Sequence, residues 1–121
     1  MTRVHDGRPH LLFVCSRNRR RSPTAETAFR DDPRFVVRSA GTEPEARIRV
    51  TEGLLGWADV VFVMERRHVD LLRRAYPGAC EGLRIVNLRI PDVFERDDPG
   101  LVQSLREAVE AELGEFPPPE A

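Results

Sequence analysis

The chain has 121 residues, a length that suits a single domain with a buried core. Its 19 basic residues, every one an arginine, nearly cancel 20 acidic ones, and the net charge of −1 gives no bulk pull toward nucleic acid or an anionic membrane. Two cysteines, Cys15 and Cys80, are too few for a disulfide framework and suit a reducing, cytoplasmic setting. No stretch reaches the length of a membrane span, and the start of the chain lacks the apolar run of a signal peptide.

Residues 1–9 are polar and are expected to fray. The apolar run 11–14, ending in a β-branched residue, predicts a fully buried strand that stops at Cys15. Ser22 suits an N-cap and Pro23 a first helical position, so a helix is predicted to run to about Arg30, where Asp31-Asp32-Pro33 stops it. Residues 35–38 form a second predicted strand, closed by Ala40-Gly41. Thr51 is the expected N-cap of a short helix carrying Leu54, Leu55 and Trp57, with Trp57 assigned to the core. Residues 60–64, the most hydrophobic run, predict a third strand. The helix predicted over 65–75 places Val69, Leu72 and Tyr76 at helical spacing until Pro77-Gly78 breaks it. Residues 83–88 predict a fourth strand. Asp98-Pro99 opens a last helix with an apolar stripe of Leu101, Leu105, Ala108, Val109 and Leu113. Residues 116–121, with three successive prolines, are expected to form a loose tail.

Strands alternating with helices imply right-handed crossovers and a parallel sheet covered on both faces, a three-layer α/β architecture. Cys15, at the carboxyl end of the first strand, then lies in the crevice where such sheets bind ligands.

The segment from Leu11 to Pro23 carries the chemistry. A buried strand ends at a thiol, a polar loop follows, and Arg21-Ser22 comes after five intervening residues. The amides of a loop running into a helix N-terminus favour a bound dianion, and the same field favours a thiolate at Cys15. The planar guanidinium of Arg21 can grip two phosphate oxygens at once. Ser16, Arg17, Asn18, Arg19, Arg20 and Ser22 complete the candidate phosphate-binding loop.

This Cys-x5-Arg-Ser pattern resembles the low-molecular-weight protein tyrosine phosphatase family. Asn18, the Ser22-Pro23-Thr24-Ala25-Glu26 helix start, Ser39-Ala40-Gly41-Thr42, and Ile90-Pro91-Asp92 followed by Phe94 match it in the same order. The resemblance implies a flavodoxin-like, four-stranded sheet in the order 2-1-3-4. It also implies Cys15 as nucleophile, Arg21 as phosphoryl-binding residue, Ser22 assisting the thiolate, and Asn18 holding the loop in a left-handed conformation with support from Ser39. Asp92 becomes the general acid and Phe94 an aromatic wall for the substrate. The implied reaction is metal-independent and cofactor-free hydrolysis of an aryl phosphate, such as phosphotyrosine on a protein, through a thiophosphate on Cys15.

The chain also departs from that pattern. Arg17 and Arg19 stand where glycine and a small or aliphatic residue are usual, and Arg20 stands where many relatives have a second cysteine. Val93 replaces the proline after the acid, the segment after Gly41-Thr42 is short, and Pro44 lies near the position of a histidine that braces the asparagine in relatives. Two other readings use the same residues. Arsenate reduction would need a partner thiol, for which only Cys80 is available, otherwise an isolated surface or loop cysteine. Alternatively, Arg17, Arg19, Arg20 and Arg21 could bind nucleic acid or another polyanion without catalysis. His5, His10 and His68 lack metal-ligand spacing, so no metal is expected. The sequence leaves the oligomeric state open, with a monomer as the starting expectation.

Overall fold

The structure, a computed structural model, describes residues 7–114. The expectations for residues 1–6 and 116–121 fall outside the described residues. Within residues 1–9, Pro9 departs from the expected fraying: it is buried, and its carbonyl accepts a hydrogen bond from the Val36 amide.

The elements in chain order are β1 (His10–Cys15), α1 (Arg21–Phe29), β2 (Val36–Gly41), α2 (Glu52–Trp57), β3 (Val60–Val63), α3 (Arg66–Ala75), α4 (Pro77–Cys80), β4 (Arg84–Asn87) and α5 (Pro99–Leu113). The four strands are all parallel, in the order β2-β1-β3-β4. β1 is a central strand and every one of its residues is buried. Because side chains alternate along a strand, β1 feeds two separate cores. Leu11, Phe13 and Cys15 join Ala25 and Phe29 of α1 and Leu101, Leu105, Val109 and Leu113 of α5. Leu12 and Val14 join Leu55 of α2, Val69 and Leu72 of α3, and Cys80 of α4. The sheet thus forms the middle of three layers.

Local chemistry explains most boundaries. Thr51 caps α2 by accepting from the Leu54 amide at 3.1 Å, and Asp98 caps α5 by accepting from Gly100 at 2.7 Å. Glu65 and His68 cap α3 reciprocally, each side chain bonding the other's backbone amide. Pro77 ends α3 as expected, yet it also opens the one-turn α4 at its first position, where a missing N–H costs nothing.

Several expectations need correction. β2 continues through Ser39, Ala40 and Gly41, which pair with Phe13, Val14 and Cys15. Ser22 does not cap α1: the helix already begins at Arg21, no side chain caps it, and the Ser22 hydroxyl turns inward. Trp57 is half-buried at the margin of its core, stacked on His10 with ring centroids 4.5 Å apart and covered by the Arg38 guanidinium at 4.6 Å. Cys80 is no surface thiol. It is buried, and its thiol donates to the Leu72 carbonyl.

Candidate active site

The loop joining β1 to α1 is held from behind. The carbonyls of Cys15, Ser16 and Arg17 accept from the amides of Thr42, Glu43 and Arg47 at 2.9, 2.9 and 3.1 Å. Arg47 Nε donates to the Asn18 carbonyl at 3.1 Å, and the Thr24 amide donates to that of Arg20 at 3.0 Å. In a trans peptide the N–H points opposite to the C=O of the same plane. Fixing the carbonyls of residues 15, 16, 17, 18 and 20 on the outer side therefore aims the amides of 16, 17, 18, 19 and 21 inward. No described residue offers an acceptor to the amides of residues 16–22. The result is a concave nest of donors, closed by Asn18 in the left-handed region at φ 56°.

Gly41 makes this backing possible. A Cβ there would lie 2.6 Å from the Ser16 oxygen, 2.9 Å from the Asn18 nitrogen and 2.7 Å from the Ala46 Cβ. Two of these are backbone atoms of the loop itself, so the loop must move. Gly41→Ala is expected to cost about 1–3 kcal/mol of stability through overpacking and to weaken phosphate binding. Thermal melting and phosphate calorimetry check this, and unchanged values in both would contradict it.

A chain of hydrogen bonds runs from a carboxylate to the sulfur. Ser39 gives its proton to Glu26, so its oxygen accepts from Asn18 Nδ2 at 2.9 Å. Asn18 Nδ2 also donates to Ser22 Oγ at 2.8 Å. Ser22 then keeps its own proton for the Cys15 sulfur, 3.0 Å away, or for the Ala40 carbonyl at 3.3 Å. Glu26 thus fixes the direction of every donor, and a thiolate at Cys15 has a hydroxyl ready to solvate it.

Arg21 is 2 % exposed and faces inward. Its Nη1 donates to Glu65 Oε2 at 2.6 Å and to the Ile90 carbonyl at 2.7 Å. That leaves the edge formed by Nε and Nη2 for a ligand, with Asp92 Oδ1 3.7 Å from Nε. Arg67 binds Glu65 Oε1 at 2.8 Å. This bond first, and Arg21 after it, hold the Glu65 carboxyl down at about 2, so it stays charged beside both guanidiniums.

His68 is fully buried, and burial, followed by the charges of Arg21 and Arg67, pushes its pKa down to about 4. Its Nδ1 accepts from the Glu65 amide at 3.1 Å, which puts the ring proton on Nε2, 3.0 Å from Ser16 Oγ. Ser16 Oγ also accepts from Arg67 Nη2 at 2.7 Å. With both acceptor positions filled, the Ser16 hydroxyl proton is free to enter the pocket.

The resulting cleft, about 300 Å³, is lined by Cys15, Ser16, five arginines (17, 19, 20, 21 and 67), Glu43 and Asp92. Asn18 and Ser22 lie buried beneath it, and Ser39 lies behind them. The chain brings together all the residues singled out from sequence except one. Phe94 packs partly buried against the core, close to Gly100, and is not among the residues that line the cleft. The apolar side chain exposed on that loop is Val93. Glu26 entered the sequence reading only as part of the helix start at residues 22–26, and Glu43, Glu65, Arg67 and His68 were not singled out as site residues. The one signal for any of them was Glu65 and His68 three residues apart at a helix start. No group of three potential metal ligands occurs among the described residues. Cys80 belongs to the core on the opposite face of the sheet from Cys15, which leaves the arsenate reading without its partner thiol.

No protein-family model matches the sequence, and no curated protein matches it. Solved structures do match. The chain is similar to YwlE arginine phosphatase from Geobacillus stearothermophilus, at 20 % identity over 93 % of this chain and 99 % of that one, with a TM-score of 0.66. It is similar to the tyrosine phosphatase Wzb from Escherichia coli K30 in complex with phosphate, at 20 % identity over 89 % and 98 % of the two chains, TM-score 0.70. Vibrio vulnificus Wzb in complex with benzylphosphonate matches at 24 % identity over 90 % and 99 %, TM-score 0.71. The sheet order 2-1-3-4 and its flanking helices are thus the fold of the low molecular weight phosphatases.

Proposed function

We propose that the protein is a metal-independent, cysteine-dependent phosphatase acting on aryl phosphate monoesters, with phosphotyrosine on a protein as the natural form of substrate. The observation that carries this reading is the convergence of the inward amides, the free edge of Arg21 and the Cys15 sulfur on one cleft. Two of the similar structures, the tyrosine phosphatase Wzb with phosphate bound and a Wzb with benzylphosphonate bound, agree with it, while a third is an arginine phosphatase.

In the first step the Cys15 sulfur attacks phosphorus while the bond from phosphorus to the aryl oxygen breaks. The Asp92 carboxyl gives its proton to that departing oxygen. Loop amides, the Ser16 hydroxyl and Arg21 carry the charge on the three equatorial oxygens. In the second step water attacks the thiophosphate, passes a proton to the Asp92 carboxylate, and releases inorganic phosphate as the S–P bond breaks. Ser22 donates to the sulfur as it regains its charge.

Turnover of p-nitrophenyl phosphate in the presence of a chelator tests the assignment, and its absence would overturn it. Asp92→Asn sharpens the test. Loss of the acid should lower kcat for phosphotyrosine by about 10²–10³-fold and for p-nitrophenyl phosphate by less, because nitrophenolate leaves without a proton more readily. Equal, small effects on both substrates would remove Asp92 from the acid role. No helix among the described residues is long and apolar enough to cross a membrane.

A further inference from the structure

The cleft above Cys15 holds more positive charge than one phosphoryl group requires. Arg21 and the loop amides already provide for a dianion. Arg67 is matched by Glu65 at 2.8 Å, and Arg17 by Glu43 at 3.5 Å. Arg19 faces only the exposed carboxylate of Glu45, which it attracts without a close ion pair, and Arg20 has no side-chain partner among the described residues.

A second cleft begins where the first ends. Its lining is Arg19, Arg47 and Arg96, so Arg19 belongs to both. No carboxylate among the described residues lines it. Arg47 uses Nε to hold the Asn18 carbonyl, which leaves its two terminal nitrogens for a ligand. Among the described residues Arg96 has only the neighbouring Asp97, at 3.8 Å. Three guanidiniums around one concavity, in a chain whose net charge is −1, form a local positive field. Five guanidiniums line the first cleft, and the ring of a substrate can stack on their planes.

We propose that the second cleft is an anion subsite, and that the preferred substrate carries a second anionic group, carboxylate or phosphate, on the same molecule as the phosphoryl group that is cleaved. This deepens the phosphatase reading and rests on it. Arg96 is the residue that gives the subsite its specificity without touching the reacting atoms. Arg19 and Arg47 join the subsite to the loop, one through the shared lining and one through the Asn18 carbonyl.

The test compares kcat/KM of the full chain for two phosphotyrosine peptides that differ only in aspartate against asparagine beside the phosphotyrosine. An aryl phosphate with a second phosphate and p-nitrophenyl phosphate complete the set. A preference of about tenfold or more is expected for the peptide or the small molecule with the second anion, the effect of one charge-assisted contact. It should fade at high salt. Arg96→Gln should bring that ratio close to one and leave turnover of p-nitrophenyl phosphate unchanged. A gain for the bisphosphate alone assigns the subsite to phosphate, and a gain for the aspartate peptide assigns it to carboxylate.

Equal kcat/KM for all matched pairs would overturn the proposal, as would a preference that survives in Arg96→Gln. Stronger inhibition by a single-stranded oligonucleotide than by any of these compounds would give the cleft to nucleic acid instead. Should nothing be hydrolysed, the phosphatase reading fails. Calorimetric binding of the aspartate and asparagine peptides would then still decide the subsite.

Discussion

Cys15→Ser is expected to reduce turnover by about 10⁴-fold or more while leaving the fold and phosphate binding in place. A serine hydroxyl is a weak nucleophile unless a base removes its proton. Among the described residues the site holds no such base next to residue 15. The Ser22 oxygen is its hydrogen-bond partner, and Ser22 already accepts from Asn18. His68 is turned away, with Nδ1 committed to the Glu65 amide and Nε2 to Ser16. A thiol needs no base of this kind, only donors that hold the thiolate, and the amide nest and Ser22 are such donors. Substitution by serine is nearly isosteric, so thermal stability and phosphate affinity should change little. A serine variant that retained wild-type turnover would remove Cys15 from the chemistry.

Arg21→Lys is expected to lower kcat/KM by about 10²–10³-fold. The guanidinium does two things at once. Its Nη1 is anchored by Glu65 and the Ile90 carbonyl, and this anchoring points the Nε and Nη2 edge at the ligand. A lysine ammonium is a single point with no second edge. If it satisfies Glu65, it leaves the phosphoryl oxygens. If it reaches the phosphoryl group, it leaves Glu65 with Arg67 as its remaining partner. The loss should therefore appear in kcat as well as KM, because the two-pronged grip strengthens as negative charge grows on the equatorial oxygens. A change confined to KM would mean that Arg21 binds ground state and transition state equally. Full activity in the lysine variant would contradict the anchored-fork geometry.

These effects depend on residues that the sequence made visible to different degrees. β1 and β3 are legible because buried parallel strands read as unbroken apolar runs, and Pro or Gly punctuates the helices that follow. The far half of β2 is not legible, because Ser39-Ala40-Gly41 looks like a turn. Small residues stand there so that the loop can press against the strand, as the contacts at Gly41 show. Ser22 before a proline reads as a cap, yet its hydroxyl bonds the sulfur. α1 starts at Arg21, two residues before the expected Pro23 and without a side-chain cap, which leaves its first amides to the pocket. Cys15 and Arg21 were legible in the strand, loop and helix start around them, and Asn18 and Asp92 through the family resemblance. Glu65, Arg67 and His68 lie more than forty residues from the loop, and only the β1–β3 pairing brings α3 against it. Phe94 follows the acid at a spacing that suits a substrate wall, and the packing of its ring against the core was not legible from that spacing.

The central claim is that a phosphoryl group passes through the Cys15 sulfur. It is tested most directly by acid-quenching Asp92→Asn protein during turnover of p-nitrophenyl phosphate, then mapping the added phosphoryl group by mass spectrometry. The expected result is one phosphoryl group on the peptide containing Cys15, absent in the Cys15→Ser, Asp92→Asn double variant. Product formation with Cys15 unmodified at every quench time, or a phosphoryl group on any other residue, would contradict it.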